Sequence, residues 1–152
     1  MTAPDLNPEH AVRIIDLNHS KNQLAPNLNK SVTALAFSND GRRLALVDDE
    51  GIGLICRIGN HLTIEKPLSG PKGIYGLAFN PDDSRLAGVT RELVHLWDVQ
   101  SGQDILTLRG APQRPFDNGF NPRIIWSHDG SMLAISNWNS SVSVWSGQPA
   151  MR

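Results

Sequence analysis

The stretch Gly51-Ile52-Gly53 holds paired glycines of the kind that bring backbone amides up to a phosphate. Such a loop must follow a strand and open a helix, and a third glycine completes it. Here the glycines open the apolar run Leu54-Ile55-Cys56 and the third is missing, so the stretch reads as a turn entering a strand. Just ahead, Asp48-Asp49-Glu50 could face a cation, but no further oxygen ligands follow at a defined spacing, and a solvated turn is expected. The five histidines, His10, His19, His61, His95 and His128, are too scattered for a helix-spaced or hairpin-spaced metal site. Period-two alternation turns His95 toward the face of Leu93 and Trp97, as a structural, partly buried histidine, and His128 falls in a turn. Cys56 sits between Ile55 and Arg57, where burial would raise its pKa, and no local base could activate it. Neither a catalytic residue, a cofactor site nor a metal site is expected.

Charge and composition narrow the partners. Lys and Arg total 14 against 15 for Asp and Glu, a net charge of -1, which gives no electrostatic reason for a nucleic-acid or anionic-membrane partner. Arg42-Arg43 is a pair on a turn and makes no basic patch. No apolar run approaches the length of a membrane span. A single cysteine cannot form an internal disulfide, and Met1-Thr2-Ala3-Pro4-Asp5 lacks the basic and apolar regions of a secretory signal, so a reducing cytoplasm is the expected compartment. Outside secretion, the glycosylation patterns Asn18-His19-Ser20, Asn29-Lys30-Ser31 and Asn139-Ser140-Ser141 carry no meaning.

The elements that would position any site come from a repeat. Phe37-Ser38-Asn39-Asp40-Gly41-Arg42-Arg43-Leu44-Ala45 returns as Phe79-Asn80-Pro81-Asp82-Asp83-Ser84-Arg85-Leu86-Ala87 and as Trp126-Ser127-His128-Asp129-Gly130-Ser131-Met132-Leu133-Ala134. The leading aromatics are 42 and 47 residues apart. Each copy is an apolar stretch, an Asp-containing turn and a second apolar stretch, the pattern of a β-hairpin. Gly41 and Gly130 can take the positive φ of such turns. A third strand follows at a nearly constant 18 or 19 residues from the aromatic, centred on Cys56, Trp97 and Trp145. A fourth follows twice, as Leu62-Thr63-Ile64 and Ile105-Leu106-Thr107-Leu108. No sustained helical period is present.

Four short strands every 40 to 47 residues, with Val94-His95-Leu96-Trp97-Asp98, Gly102 and Leu77-Ala78-Phe79-Asn80-Pro81-Asp82, resemble the WD-repeat β-propeller family from about Val32 to Trp145. The chain is most similar to the divergent bacterial versions. The resemblance implies an all-β fold of propeller-type, four-stranded antiparallel blades, with Phe37, Asp40, Phe79, Asp82, Trp97, Asp98, Trp126, Asp129 and Trp145 as the structural repeat residues. It also implies a non-catalytic scaffold for protein–protein interaction through propeller loops and faces. The alternative is a C-terminal regulatory or accessory piece of a larger polypeptide such as a WD-repeat protein kinase, although the chain has no His-Arg-Asp or Asp-Phe-Gly of its own. It departs from the family pattern at Cys56-Arg57 and Trp145-Ser146 in place of Trp-Asp, and at Glu50, Arg91 and Asn139 where an Asp is usual. The family's His-Asp-Trp hydrogen-bond network is therefore expected to be absent, with packing alone holding the blades.

The organisation read this way is a leading strand pair of a preceding blade in residues 1–31, blades in 32–70 and 71–110, a connecting loop at 111–122, and an incomplete last blade in 123–152. That makes an incomplete ring of three to four blades. Its exposed ends point either to a larger propeller of which this is part, to two copies meeting head to tail, or to a marginal monomer. The loop at 111–122 breaks the repeat, and its Arg114, Phe116 and Phe120 are the candidate partner-binding residues, aromatic and Arg anchors being the commonest interface hot spots. The rings could equally fold back over the blade edge.

Overall fold

The computed structural model describes residues 12–15, 22–24, 31–110, 122–137 and 140–147. The central hairpin strands begin as short, nearly unbroken apolar runs, Leu44-Ala45-Leu46-Val47 and Leu86-Ala87-Gly88-Val89, which suit strands buried on both faces. Both are buried throughout. The chain is all-β, in an incomplete propeller-like arrangement of sheets with four, four and three strands, preceded by a two-stranded pair.

The pair is β1 (Arg13–Ile15) with β2 (Asn22–Leu24), antiparallel. The first sheet runs β3 (Val32–Phe37), β4 (Arg43–Asp48), β5 (Gly53–Ile58) and β6 (Leu62–Pro67), in chain order. The second repeats it with β7 (Gly76–Phe79), β8 (Arg85–Val89), β9 (Leu93–Asp98) and β10 (Asp104–Arg109). The third holds β11 (Ile124–Trp126), β12 (Met132–Ser136) and β13 (Val142–Ser146). All pairings are antiparallel, as up-and-down meanders joined by short turns require.

Alternation divides each sheet into two faces, and the faces make three apolar layers. Ala45, Val47 and Ile55 of the first sheet meet Leu77, Phe79, Leu86 and Trp97 of the second, with Leu68 and Ile74 of the connection between them. Ala87, Val89, Val94 and Leu96 of the second sheet meet Ile124, Leu133 and Ile135 of the third. On the other side of the first sheet, Leu44, Leu46, Cys56 and Leu62 receive Val12 and Ile14 from the strand pair. Full burial of each Val, Leu or Ile stabilises by about 1.5–3 kcal/mol, so these layers fix the order of the sheets.

The three hairpin turns are built alike. The Ser38 hydroxyl accepts from Arg43 N at 2.8 Å and donates to Asp40 Oδ1 at 2.7 Å, while Gly41 N donates to the Ser38 carbonyl at 3.0 Å. Ser127, Asp129, Gly130 and Met132 repeat these contacts in the third sheet. In the second, Asn80 Oδ1 replaces the hydroxyl as acceptor for Arg85 N at 2.8 Å. Asp83 there takes the left-handed conformation of the glycines, with φ 58° against 68° at Gly41 and 72° at Gly130. Asp tolerates this region better than most L-residues when its side chain finds local donors.

Candidate interaction surface

The repeat residues fall into three roles. Asp40, Asp82 and Asp129 cap the hairpin turns and stay exposed. Hydrogen bonds hold all three carboxyls below the usual range, led by the Ser38 hydroxyl at Asp40, by Ser84 at Asp82 and by the Ser127 hydroxyl at Asp129, which reaches about 2. Asp98 closes the turn after β9, accepting from Ser101 N at 2.7 Å and from the Ser101 hydroxyl at 2.6 Å, and its carboxyl too is lowered.

The tryptophans form the second group, and each ties neighbouring segments together through its indole N–H. Trp97, wholly buried, donates to the Ser69 carbonyl at 2.6 Å. Trp126 donates from the third sheet to the Ala78 carbonyl of the second at 3.1 Å, and Trp145 to the Arg109 carbonyl at 3.1 Å. Phe37 and Phe79 are the third group. Phe79 is buried between the first and second sheets, whereas Phe37, at the matching position, is exposed.

A polar network does brace the second sheet, contrary to the expectation that packing alone would hold it. His95 Nδ1 lies 2.6 Å from Asp104 Oδ2, so the carboxylate acceptor places the ring proton on Nδ1. Asp104 N donates to the Ser69 hydroxyl at 2.9 Å, and the Ser69 carbonyl accepts from Trp97. The His95 and Trp97 rings sit 5.8 Å apart at 30° on one face of β9. The expected loss rested on Arg91 standing where the resemblance would place an Asp ahead of the tryptophan. The structure instead draws Asp104 from the following strand and Ser69 from the preceding connection, residues whose separation in sequence left no local signal.

Two of the surface grooves run along these elements. One, of about 540 Å³, lies at an end of the sheets and is lined by Pro71, Lys72, Tyr75, Arg91, Glu92 and His95 among others. Arg91 Nε donates to the Tyr75 hydroxyl at 3.3 Å across it. The second, of about 640 Å³, follows the innermost strands, with Ala78, Pro81, Ile125, Trp126 and His128 on its walls. The sequence marked Arg91 only as a departure from the usual Asp and gave no signal at Tyr75, because the two join in one groove only when the β6–β7 connection meets the β8–β9 turn.

The remaining candidates are resolved by their surroundings. Gly51 takes φ 75° where a Cβ would come within 2.1 Å of Gly73 N, so this glycine serves the turn into β5. Asp48 is buried, and its Oδ1 accepts from Glu50 N and Ile52 N at 3.0 and 2.8 Å, shaping that same turn. Cys56 is fully buried, and burial, with a smaller push from Glu65, raises its thiol to about 11. Among the described residues no group of three or more His, Cys, Asp or Glu side chains is placed to hold a metal ion. No helix among them is long and apolar enough to cross a membrane. Arg114, Phe116 and Phe120 lie outside the described residues.

The fold thus defines an all-β, propeller-like protein built of repeated antiparallel sheets. No family model matches the chain.

Proposed function

We propose that the chain is a non-catalytic, WD-repeat-like scaffold that binds other proteins through the loops and faces of its blades. The observation that carries this reading is the end groove, where Tyr75 and Arg91 meet over a floor that includes His95. Tyr and Arg are the residue types that dominate interface energetics, because each joins a large apolar or planar surface to a polar head. Lys72, Glu50 and Glu92 add both signs of charge around them, a rim suited to the mixed polar surface of a protein partner. Turns held by hairpins need little reordering on binding, which limits the entropy cost of association. Its partners are other proteins met in the cytoplasm.

The test is affinity capture under native conditions with the wild-type chain and with Tyr75→Ala/Arg91→Ala, followed by quantitative mass spectrometry. The double variant should lose the proteins that wild type retains, at an unchanged thermal midpoint. An identical captured set from both chains would remove the groove as the binding surface.

A further inference from the structure

The sheets have two kinds of face, and the chain shows twice which fits which. The rear face of one sheet, carrying Ala45, Val47 and Ile55 or Ala87, Val89, Val94 and Leu96, is covered by the front face of the next. That front face is built from an aromatic or aliphatic pair on the first strand, a leucine on the second and a tryptophan on the third: Leu77, Phe79, Leu86 and Trp97, then Ile124, Trp126, Leu133 and Trp145.

Among the described residues one rear face is left open, and so is the first-strand part of one front face. On the third sheet, Ile125, Ala134 and Val144 align across the strands as Ala78, Ala87 and Leu96 do in the second. Nothing described covers this rear face, where Ile125 is 62%, Val142 63% and Val144 58% exposed. At the other end, Leu35 and Phe37 of β3 pair with Leu46 and Leu44 and so share their front face. The strand pair packs on Leu44 and Leu46, yet Leu35 and Phe37 remain 55% and 54% exposed. Charge does not oppose a meeting of these surfaces, since all of these residues are apolar.

We infer that a second copy of this chain is the occupant, with the rear face of the third sheet of one copy seated on the Leu35 and Phe37 front face of its partner. The two faces differ, so the contact is heterologous and either closes a ring or propagates. It extends between chains, over the first-strand part of the face, the kind of layer that already forms twice within one chain. The inference does not rest on the groove of Tyr75 and Arg91, which lies on other residues.

Sedimentation equilibrium and light scattering of the purified chain test it. Wild type should show at least twice the 16.7 kDa chain mass, rising with concentration. Phe37→Glu disables only the front and Val144→Glu only the rear, so each alone should run as a monomer. Mixed, they retain one intact front and one intact rear, and should form a dimer of twice the chain mass and nothing larger. Circular dichroism checks that each variant folds, and Leu35→Glu and Val142→Glu carry the same test if either does not. A wild-type monomer at all concentrations overturns the inference, including the case in which another segment or another protein normally covers these faces. Retained self-association by Phe37→Glu alone also overturns it, because it would mark a rear-to-rear contact.

Discussion

The Asp83 carboxylate reaches across to the neighbouring hairpin turn and accepts three hydrogen bonds there, from Asn39 N at 2.7 Å, Asn39 Nδ2 at 2.8 Å and Asp40 N at 2.9 Å. One residue thereby serves two sheets, taking a left-handed backbone in its own turn and capping the turn of the sheet before it. Asp83→Ala loses the acceptor and puts a Cβ without polar partners at φ 58°. It should destabilise by about 1–2 kcal/mol, the value of exposed charge-assisted bonds plus part of the left-handed cost. Asp83→Gly relieves the backbone but not the lost bonds, so urea unfolding should rank wild type above Gly and Gly above Ala. Equal midpoints for all three would show that the turns are not coupled.

Trp97 is held from both sides. Its N–H reaches the Ser69 carbonyl, and the far edge of its ring lies against Gly88, where a Cβ would come within 2.6 Å of Cζ3. Gly88→Ala should cost about 1–3 kcal/mol by overpacking. Trp97→Phe should cost a similar amount, because it removes a buried donor and shrinks the layer. The smaller ring leaves room for the added methyl, so the double variant should be more stable than the sum of the two losses predicts. A double-mutant cycle by chemical denaturation reads this coupling, and strict additivity would contradict the contact.

Much of this arrangement was legible in the sequence. The spacing of Phe37, Phe79 and Trp126 marks three hairpins, the constant offset of 18 or 19 residues places the third strands, and the apolar runs after them mark two fourth strands, because strands follow local pattern directly. What could not be read is which equivalent residues differ in environment. Phe37 and Phe79 occupy the same motif, but a sheet covers Phe79 while no described sheet covers Phe37, and that depends on neighbours and not on the motif. The bracing of Trp97 was missed for a related reason. Ser69 and Asp104 lie 35 residues apart and meet only through sheet packing, so the missing Asp ahead of the tryptophan looked like the loss of the network.

Cys56 gives a pH-dependent observation. Its thiol is raised from 9.0 to about 11, chiefly by burial, so the fold favours the neutral form. The corresponding stability is complete below pH 9, and it falls as pH rises toward about 11, where the unfolded chain ionises and the folded one resists. Labelling by a thiol reagent at neutral pH should therefore proceed only as fast as the chain opens. Cys56→Ser should flatten the alkaline limb of the stability profile, at the cost of placing a hydroxyl in the layer with Leu44 and Leu46. Rapid labelling of the native chain at pH 7 would contradict the burial.

The hairpin caps contribute to the acid limit. Folded Asp129 ionises down to about pH 2 from an ordinary value of 3.8, because the Ser127 hydroxyl and the Ser131 amide and hydroxyl donate to its carboxylate, and Asp40 and Asp82 are shifted in the same direction. A lowered folded value means that the stability is present above about pH 4 and is lost as pH falls toward 2, where protonation removes the acceptor. Thermal midpoints followed by circular dichroism should fall across that window. Asp129→Asn keeps the shape of the side chain and one carbonyl acceptor but has no charge to protonate. It should start from a lower midpoint at pH 7 and show a shallower acid decline, since two of the three shifted caps remain. Each cap sits on a separate hairpin, so the triple variant Asp40→Asn/Asp82→Asn/Asp129→Asn should be shallower still, in near-additive steps. An acid decline as steep in the triple variant as in wild type would mean that other carboxylates govern acid unfolding.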